Sequence, residues 1–449
     1  MAYAEQRGKK WRGRYKRPDG TRGSTSGYPT KKQALAAAED EESRIRHHTW
    51  IDPRVSETPF ADFAEDWYAA ISPGLGPRTA ENYRNHLDRH LLPKWESWSM
   101  MAIFNSHLEI QKWVTELHTE YEESSVRTYF GTFSTIMNAA VRARVIPANP
   151  CAGIRVTEGA WESEKLVATP VQVLRASMRL YENGLGLGGL VLGLLNSYTG
   201  ARWGELAGQT RREYDELNRA IGIIEPLKEI NGRLVKGGHD VTEHQQSPRK
   251  EIANRRRRRS KRGARTKSPA GTRWICLPPS LAQLYELLLD GLPDLDSFAF
   301  VSTHGVPWYR SNFRQRFWRP VWDGVSPDDP EAEDHEPAIL FDFTFHEGRH
   351  THSTWLVQDG IPEVARRARL GHKMPGIAKI YEHVTPEMER RVSDALETRW
   401  LGSLSALTDD ERSRLATWVA DLTESIEAAS RSRAASGDGS VSQMTPSGR

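Results

Sequence analysis

Hydrophobic positions recur at helical spacing over most of this chain, and glycines and prolines cut that pattern into separate stretches. From about Thr58 to Arg155 four amphipathic runs with short breaks, FADFAEDWYAAI, RTAENYRNHLDRHLLPKW, HLEIQKWVTELH and SSVRTYFGTFSTIMNAAVRARVI, predict a compact helical bundle. The first residues predict something different. Trp11 to Lys16 alternates aromatic and basic residues, Pro18-Asp19-Gly20 marks a turn, Arg22 to Thr25 reads as a returning strand, and an alanine-rich helix begins at Thr30. A small sheet backed by one helix is expected there. Beyond the bundle, Leu166 to Leu401 reads as mostly helical, with a small sheet around Ile221 to Pro226, Arg273 to Leu277 and Phe298 to Ser302. Helices are predicted over Pro386 to Leu404 and Asp409 to Ala429, and the Ser-, Gly-, Ala- and Arg-rich stretch from Ser430 predicts disorder. The expected fold class is multidomain, mainly α with small β-sheets: a small α+β domain over 1–55, a helical bundle over 56–157, a mixed α/β domain over 166–404, a C-terminal helix over 405–429 and a tail over 430–449.

Composition narrows the function classes. A chain of 449 residues exceeds one ordinary core, in keeping with several domains. Its two cysteines, Cys151 and Cys276, lie far apart in sequence, which argues against a disulfide framework and for a reducing cytoplasm. The longest apolar stretch, Leu185 to Leu195, is too short to span a bilayer, and the start shows no secretory pattern. A soluble cytoplasmic protein without membrane partners is expected. Formal net charge is only +3, but basic residues crowd Lys9, Lys10, Arg12, Arg14, Lys16 and Arg17, and again Arg255–Arg259 with Lys261, Arg262 and Arg265. Acidic ones gather at Glu39–Glu42 and Asp328–Glu336. Such segregation suits nucleic acid better than the net charge alone. On the N-terminal sheet Arg12, Arg14, Lys16 and Arg22 are candidates to face DNA, and the second basic run reads either as a solvated loop or as one that orders on phosphates. Gly184, Gly186 and Gly189 match GxGxxG, yet a helical pattern precedes them where a dinucleotide site needs a strand. Nothing resembles a metal cluster or a Walker loop, so no metal or cofactor is expected.

The densest chemistry lies in TFHEGRHTHSTWLVQDGIPEVARRARLGHKMPGIAKIYEHV. It reads as helix, turn, helix, turn, helix. His346 and Arg349 are three apart and share a helical face, able to hold one anion. Gly371 supplies a tight helix exit, after which His372 can point back toward that face. Tyr381 follows on a separate short apolar segment. Upstream, NSYTGARWGELAGQTRREYD breaks an apolar helix at Thr199-Gly200 and starts another near Trp203, which puts Arg202 at a turn that opens a helix. Glu205, three residues on, reads either as a group that orients it or as an ordinary helix-surface glutamate. Guanidinium groups bind phosphate in bidentate fashion and keep their charge, so Arg202 and Arg349 suit a clamp on the two non-bridging oxygens of a phosphodiester.

TGARWGEL, then HEGR, then LGH, then a tyrosine nine residues after that histidine resembles the tyrosine recombinase or phage integrase family. The resemblance implies a catalytic domain of tyrosine recombinase type, with Arg202 and Arg349 as phosphate-binding arginines, His346 and His372 as phosphate-contacting histidines and Tyr381 as the nucleophile. It also implies a lysine on a β-hairpin; in RTKSPAGTRWICLPPSL Lys267 matches, directly before a turn and strand, with Lys261 and Lys250 as alternatives within a long polar insertion. Gly348 departs from the family, which has an apolar residue there, and implies a looser helix start. The first 55 residues are similar to the arm-type DNA-binding domain of integrases, and the bundle resembles the core-binding domain. In that bundle Arg78, Thr79, Tyr83, Arg84, Arg127 and Thr128 are candidates to meet phosphates from helix starts. The resemblance further implies double-stranded DNA attachment sites, a homotetramer on DNA, a C-terminal tail docked on a neighbouring protomer, and accessory excision or DNA-bending factors. The implied activity is integration or excision of a mobile element through a 3'-phosphotyrosyl intermediate. A Xer-like resolvase, a type IB topoisomerase and a non-catalytic DNA-binding regulator are the competing readings.

Overall fold

The computed structural model describes residues 2–156, 165–242, 272–324, 336–372 and 384–419. Lys250, Lys261, Lys267, the basic run Arg255–Arg259, Tyr381 and the tail from Ser430 lie outside the described residues. The chain forms two compact units, Met1–Glu162 and Ser163–Arg449.

The first unit begins with an antiparallel sheet of β1 (Tyr3–Arg7), β2 (Lys10–Lys16) and β3 (Arg22–Tyr28), in that order. It has one strand more than the two expected. Strand alternation sends Gly13 and Tyr15 to the buried face and Arg12, Arg14 and Lys16 to the other. Helix α1 (Lys31–Arg46), whose first turn is capped by the Thr30 hydroxyl accepting from the Gln33 amide, covers the buried face with Ala34 and Ala38. Approach is so close that a Cβ at Gly13 would lie 2.2 Å from the Ala34 carbonyl oxygen. The bundle follows as α2 (Phe60–Ile71), α3 (Pro77–His86), α4 (His107–Glu120) and α5 (Glu123–Arg142). Its apolar stripes meet in an aromatic core where Phe133 touches Phe60, Trp95 and Trp113 at ring separations of 5.7, 5.4 and 5.2 Å.

The second unit is organised around α7 (Gly186–Thr199), which is buried continuously from Gly189 to Thr199. A helix apolar on every side belongs inside a core. Before it comes α6 (Pro170–Leu180), opened by a reciprocal Thr169–Gln172 cap. Of the GxGxxG glycines, Gly184 (φ +89°) lies in the link between these two helices and Gly186 and Gly189 already belong to α7, so the motif is a helix-to-helix connection. After α7 come α8 (Trp203–Leu206) and a sheet of β4 (Tyr214–Asp215), β5 (Ala220–Ile223) and a later strand, Arg273–Cys276, in which Ile221 faces Ile275. Between β5 and that later strand, β6 (Lys228–Ile230), β7 (Arg233–Lys236) and β8 (His239–Asp240) make a separate meander, which makes Arg273–Cys276 β9. The strand expected over Phe298–Ser302 does not form. Phe298 and Val301 make only isolated bridges, to Thr210 and Pro307, because the chain turns back at Gly305. The remaining helices used below are α9 (Arg310–Phe313), α10 (Phe345–Gln358), α11 (Glu363–Leu370), α12 (Pro386–Ser405) and α13 (Asp409–Trp418).

The described part of the C-terminal tail, α13, packs on its own unit. Leu415 and Val419 are buried, Trp418 stacks on Tyr181 at 4.2 Å, and Glu411 accepts two hydrogen bonds from Arg175 at 2.7 and 3.1 Å. Matched apolar and charged partners on α6 and the turn after it hold α13 in place.

Candidate active site

Arg202 is positioned by the way α7 ends. The Thr199 hydroxyl donates to the Leu195 carbonyl and accepts from the Ala201 amide, and Gly200 then takes a left-handed turn at φ +62°. A Cβ at Gly200 would sit 2.8 Å from both the His352 ring and the Leu370 side chain, so glycine is required on two counts. Arg202 stands at the N-cap position of α8, with its side chain 46% exposed. Glu205, nearly buried, accepts from the Arg202 backbone amide and guanidinium, both at 2.9 Å, and from Arg273 at 2.9 Å. Burial alone would raise the Glu205 pKa; Arg273, then Arg202, outweigh it and hold the carboxyl below the usual range.

Helix α10 starts with a reciprocal Thr344–Glu347 cap. Its start is tight, contrary to the expectation drawn from Gly348. That glycine lies directly on Asn196, whose side-chain amide donates to the Phe345 carbonyl at 2.8 Å, and a Cβ there would fall 1.6 Å from the Asn196 Oδ1. One residue on, Arg349 is only 5% exposed. Its guanidinium donates to the Gly200 carbonyl at 2.7 Å, to the Leu370 carbonyl, and to His372 Nε2 at 2.8 Å. Burial, reinforced by the charges of Arg202 and Arg273, brings the Arg349 pKa down to about 10. At neutral pH it still carries its charge.

His372 follows the left-handed Gly371 (φ +67°), and its amide donates to the Arg367 carbonyl at 2.9 Å. Partial desolvation, followed by the charges of Arg349 and Arg202, lowers its pKa. His346 is exposed at the rim, its ring 5.0 Å from that of His350. Partial desolvation, then His350, Arg349, Arg202 and Arg310, lower its pKa too. Both imidazoles are therefore neutral donor-acceptors next to fixed positive charge, and an anion placed among them would raise their proton affinity. The structure thus brings Arg202, His346, Arg349 and His372 together from three elements, α8, α10 and the end of α11. Lys267 and Tyr381 lie outside the described residues.

Sequence reading missed four neighbours of this cluster. Arg273 on β9 links Glu205 to the Arg369 carbonyl, where it donates at 2.6 Å. Arg369 and His352 are buried beneath the site, and Arg310 at the start of α9 brings its charge to bear on His346. An inward-facing arginine in the β9 pattern, two before Ile275, was the one sign available for Arg273.

The candidate DNA contacts in the first unit are less uniform. Arg12 and Arg14 share Glu5 at 2.8 and 3.0 Å, which holds that carboxyl at about 2 through their hydrogen bonds. Lys16 is exposed, and Arg22 lies 5.9 Å over the Tyr3 ring. In the bundle, Arg78 and Thr79 stand in the first turn of α3, as expected, with Arg78 bonded to Glu81 at 2.9 Å. Tyr83 and Arg84 correct the expectation. They fall toward the end of α3, because that helix already begins at Pro77; Tyr83 packs on Trp67 at 5.4 Å and Arg84 bonds to Glu65 and Asp88. Arg127 and Thr128 lie in the second turn of α5, bonded to Glu123 at 3.0 Å and the Ser124 carbonyl at 2.8 Å.

Comparison with known proteins identifies the class. The model described as "Phage integrase family" matches residues 190–388, and that described as "Phage integrase, N-terminal SAM-like domain" matches residues 59–118; together they span more than half of the chain. A "Tyrosine recombinase XerC-like" protein of Caldanaerobacter subterraneus subsp. tengcongensis is 24% identical over 387 residues, covering 82% of this chain and 89% of that one. The "Integrase" of Mycobacterium phage L5 is 19% identical over 383 residues, with coverages of 82% and 89%. Among solved structures, the Tn1549 transposon integrase in complex with transposon right end DNA matches at a TM-score of 0.52 and 16% identity, covering 76% of this chain and 100% of that one. The fold and the family matches define a tyrosine recombinase. The chain belongs to the phage integrase family. Site-specific recombination on DNA is that family's activity.

Proposed function

We propose that this protein is an active integrase that cuts and rejoins double-stranded DNA at attachment sites of a mobile element. The phenolic oxygen of Tyr381 gives up its proton to solvent as it attacks the scissile phosphorus, the bond to the 5'-oxygen breaks, and a 3'-phosphotyrosyl link stores the bond energy. A freed 5'-hydroxyl from another strand then displaces the tyrosine. Arg202 and Arg349 neutralise the non-bridging oxygens, His346 and His372 donate to them as charge gathers, and Lys267 gives the leaving 5'-oxygen its proton. The observation that carries this reading is the convergence of two arginines and two histidines in one cluster, from the buried Arg349 to His346 at the exposed rim, with a buried carboxylate fixing one arginine. Strand exchange between two duplexes requires four protomers on DNA, and the first 55 residues and the bundle hold arm and core sites respectively. The reaction takes place in the cytoplasm, with excision or bending factors setting direction.

The XerC-like relative favours one alternative, a resolvase acting on replicated circles. Recombination of a plasmid carrying two identical core sites, without arm sequences, would select that reading.

The test is trapping on a nicked suicide duplex. The parent is expected to form a covalent protein–DNA adduct at a 3' end, and Tyr381→Phe to bind the same duplex without forming one. An adduct at parental yield in Tyr381→Phe would sink the assignment. Arg202→Ala is expected to slow adduct formation on the order of 10²- to 10³-fold, the usual cost of one charge-stabilising donor.

A further inference from the structure

Beneath the cationic cluster lies a buried pair that touches no substrate. His352 is completely buried on α10, one turn beyond Arg349. Its Nδ1 donates to the Ser197 carbonyl at 2.9 Å, and its Nε2 accepts from the Arg369 Nε at 3.0 Å. Those two bonds fix the ring as neutral, with the proton on Nδ1. One N–H from each of the two terminal nitrogens of Arg369 goes to the Cys276 carbonyl at 2.9 Å and the Tyr198 carbonyl at 3.1 Å. Among the described residues no carboxylate is hydrogen-bonded to it. A buried guanidinium held by neutral acceptors alone is a costly arrangement.

The acceptors reveal what that cost secures. Tyr198 and Ser197 end α7, whose exit turn carries Arg202. Cys276 ends β9, the strand that begins with Arg273. His352 belongs to the helix of Arg349 and His346, and Arg369 to the last turn before His372. The pair also borders the clamp itself: the Arg369 carbonyl takes the Arg273 guanidinium, the next carbonyl, Leu370, takes Arg349, and the His352 ring packs on Gly200, whose carbonyl Arg349 also holds. Every segment that delivers a described member of the cluster is thus tied to one guanidinium and one imidazole.

We propose that His352 and Arg369 are positioning residues that set the spacing between Arg202, Arg349 and His372, so that the three meet one phosphate together. The proposal rests on the recombinase reading above. Misplacement of a reacting group by about 1 Å is enough to cost roughly 100-fold in rate. The pair acts on the chemical step and leaves DNA affinity, spread over many contacts, nearly untouched.

The full-length protein, single-turnover cleavage of a suicide duplex and DNA titration provide the test. His352→Leu removes the acceptor and the donor; it is expected to slow cleavage roughly 100-fold while half-saturation by DNA stays within about threefold of the parent. His352→Gln offers a carbonyl to Arg369 and an amide to Ser197, and is expected to return to within about tenfold of the parental rate. Arg369→Lys keeps the charge but cannot reach all three acceptors, and is expected to cleave at least about tenfold more slowly even if His352→Leu fails to fold. Parental cleavage by His352→Leu or Arg369→Lys overturns the proposal, as does a glutamine variant as slow as the leucine variant, or equal losses in affinity and rate. Tyr381→Phe run alongside separates the two levels. Adducts persisting there defeat the recombinase reading, whereas adducts lost there but normal in His352→Leu defeat only the pair.

Discussion

At the scale of single residues, Gly348 shows how a sequence departure acquires the opposite meaning once its neighbour is known. Read along the chain, a glycine in place of an apolar residue loosens a helix start. In the fold it lets α10 lie against the buried Asn196 side chain, which in turn holds the Phe345 carbonyl. Gly348→Ala drives a methyl into the Asn196 side-chain amide. Overpacking of this kind costs about 1–3 kcal/mol. For a unit of this size that corresponds to a fall in unfolding temperature of about 2–4 °C per kcal/mol. Calorimetry of the full chain is the check, and an unchanged transition would show that the contact is not fixed. Adduct formation should fall as well, because the residue lies between His346 and Arg349.

At the scale of elements, the Arg273–Glu205 pair ties β9 to α8 and so fixes the base of Arg202. Removing one partner of a buried pair typically costs about 3–5 kcal/mol, toward the low end here because Arg202 still donates to Glu205. Arg273→Met is expected to lose stability in that range at pH 7, and to lose less at pH 5. In the parent, Glu205 titrates below its unfolded value, so its contribution is complete above the ordinary glutamate pKa and disappears as pH falls through the folded one. In the variant, burial outweighs what Arg202 alone supplies and pushes the carboxyl up, and acidification relieves its under-compensated charge. Urea unfolding at the two pH values decides it: a deficit that is constant or grows on acidification would show that Glu205 is not the group concerned.

The same elements mark what could be read in advance. Arg202, His346, Arg349 and His372 were legible because each sits in a short local pattern: a helix break, an HxxR face, a glycine exit. Arg273, His352 and Arg369 were not, because their roles consist of bonds to groups far away in the chain, as between Arg369 and the Tyr198 carbonyl. Phe298–Ser302 misled for the complementary reason. Its short apolar run is that of a strand, yet a strand needs a partner along its length, and there only single bridges form.

At the scale of the whole molecule, the proposed function divides charge between two tasks. In the second unit the arginines of the site are held by carbonyls and one carboxylate, a geometry suited to a single phosphate. In the first, Arg12, Arg14, Lys16 and Arg22 belong to a sheet whose opposite face is sealed by α1, so their surface is free for an extended polyanion. Glu5, ionised throughout the physiological range, already orders Arg12 and Arg14 side by side. The two tasks should separate experimentally. Each phosphate contact steepens the dependence of log affinity on log salt by about 0.9, so Arg12→Ala with Arg14→Ala is expected to flatten that slope by roughly 1 to 2 on a long duplex. Cleavage of a short core-site duplex at saturating protein should stay within about twofold of the parent, because the chemical groups lie in the other unit. A slope that does not move would remove the sheet from DNA binding. A cleavage rate that falls with it would mean that the N-terminal sheet governs the chemistry directly, and that the division of labour proposed between the two units is wrong.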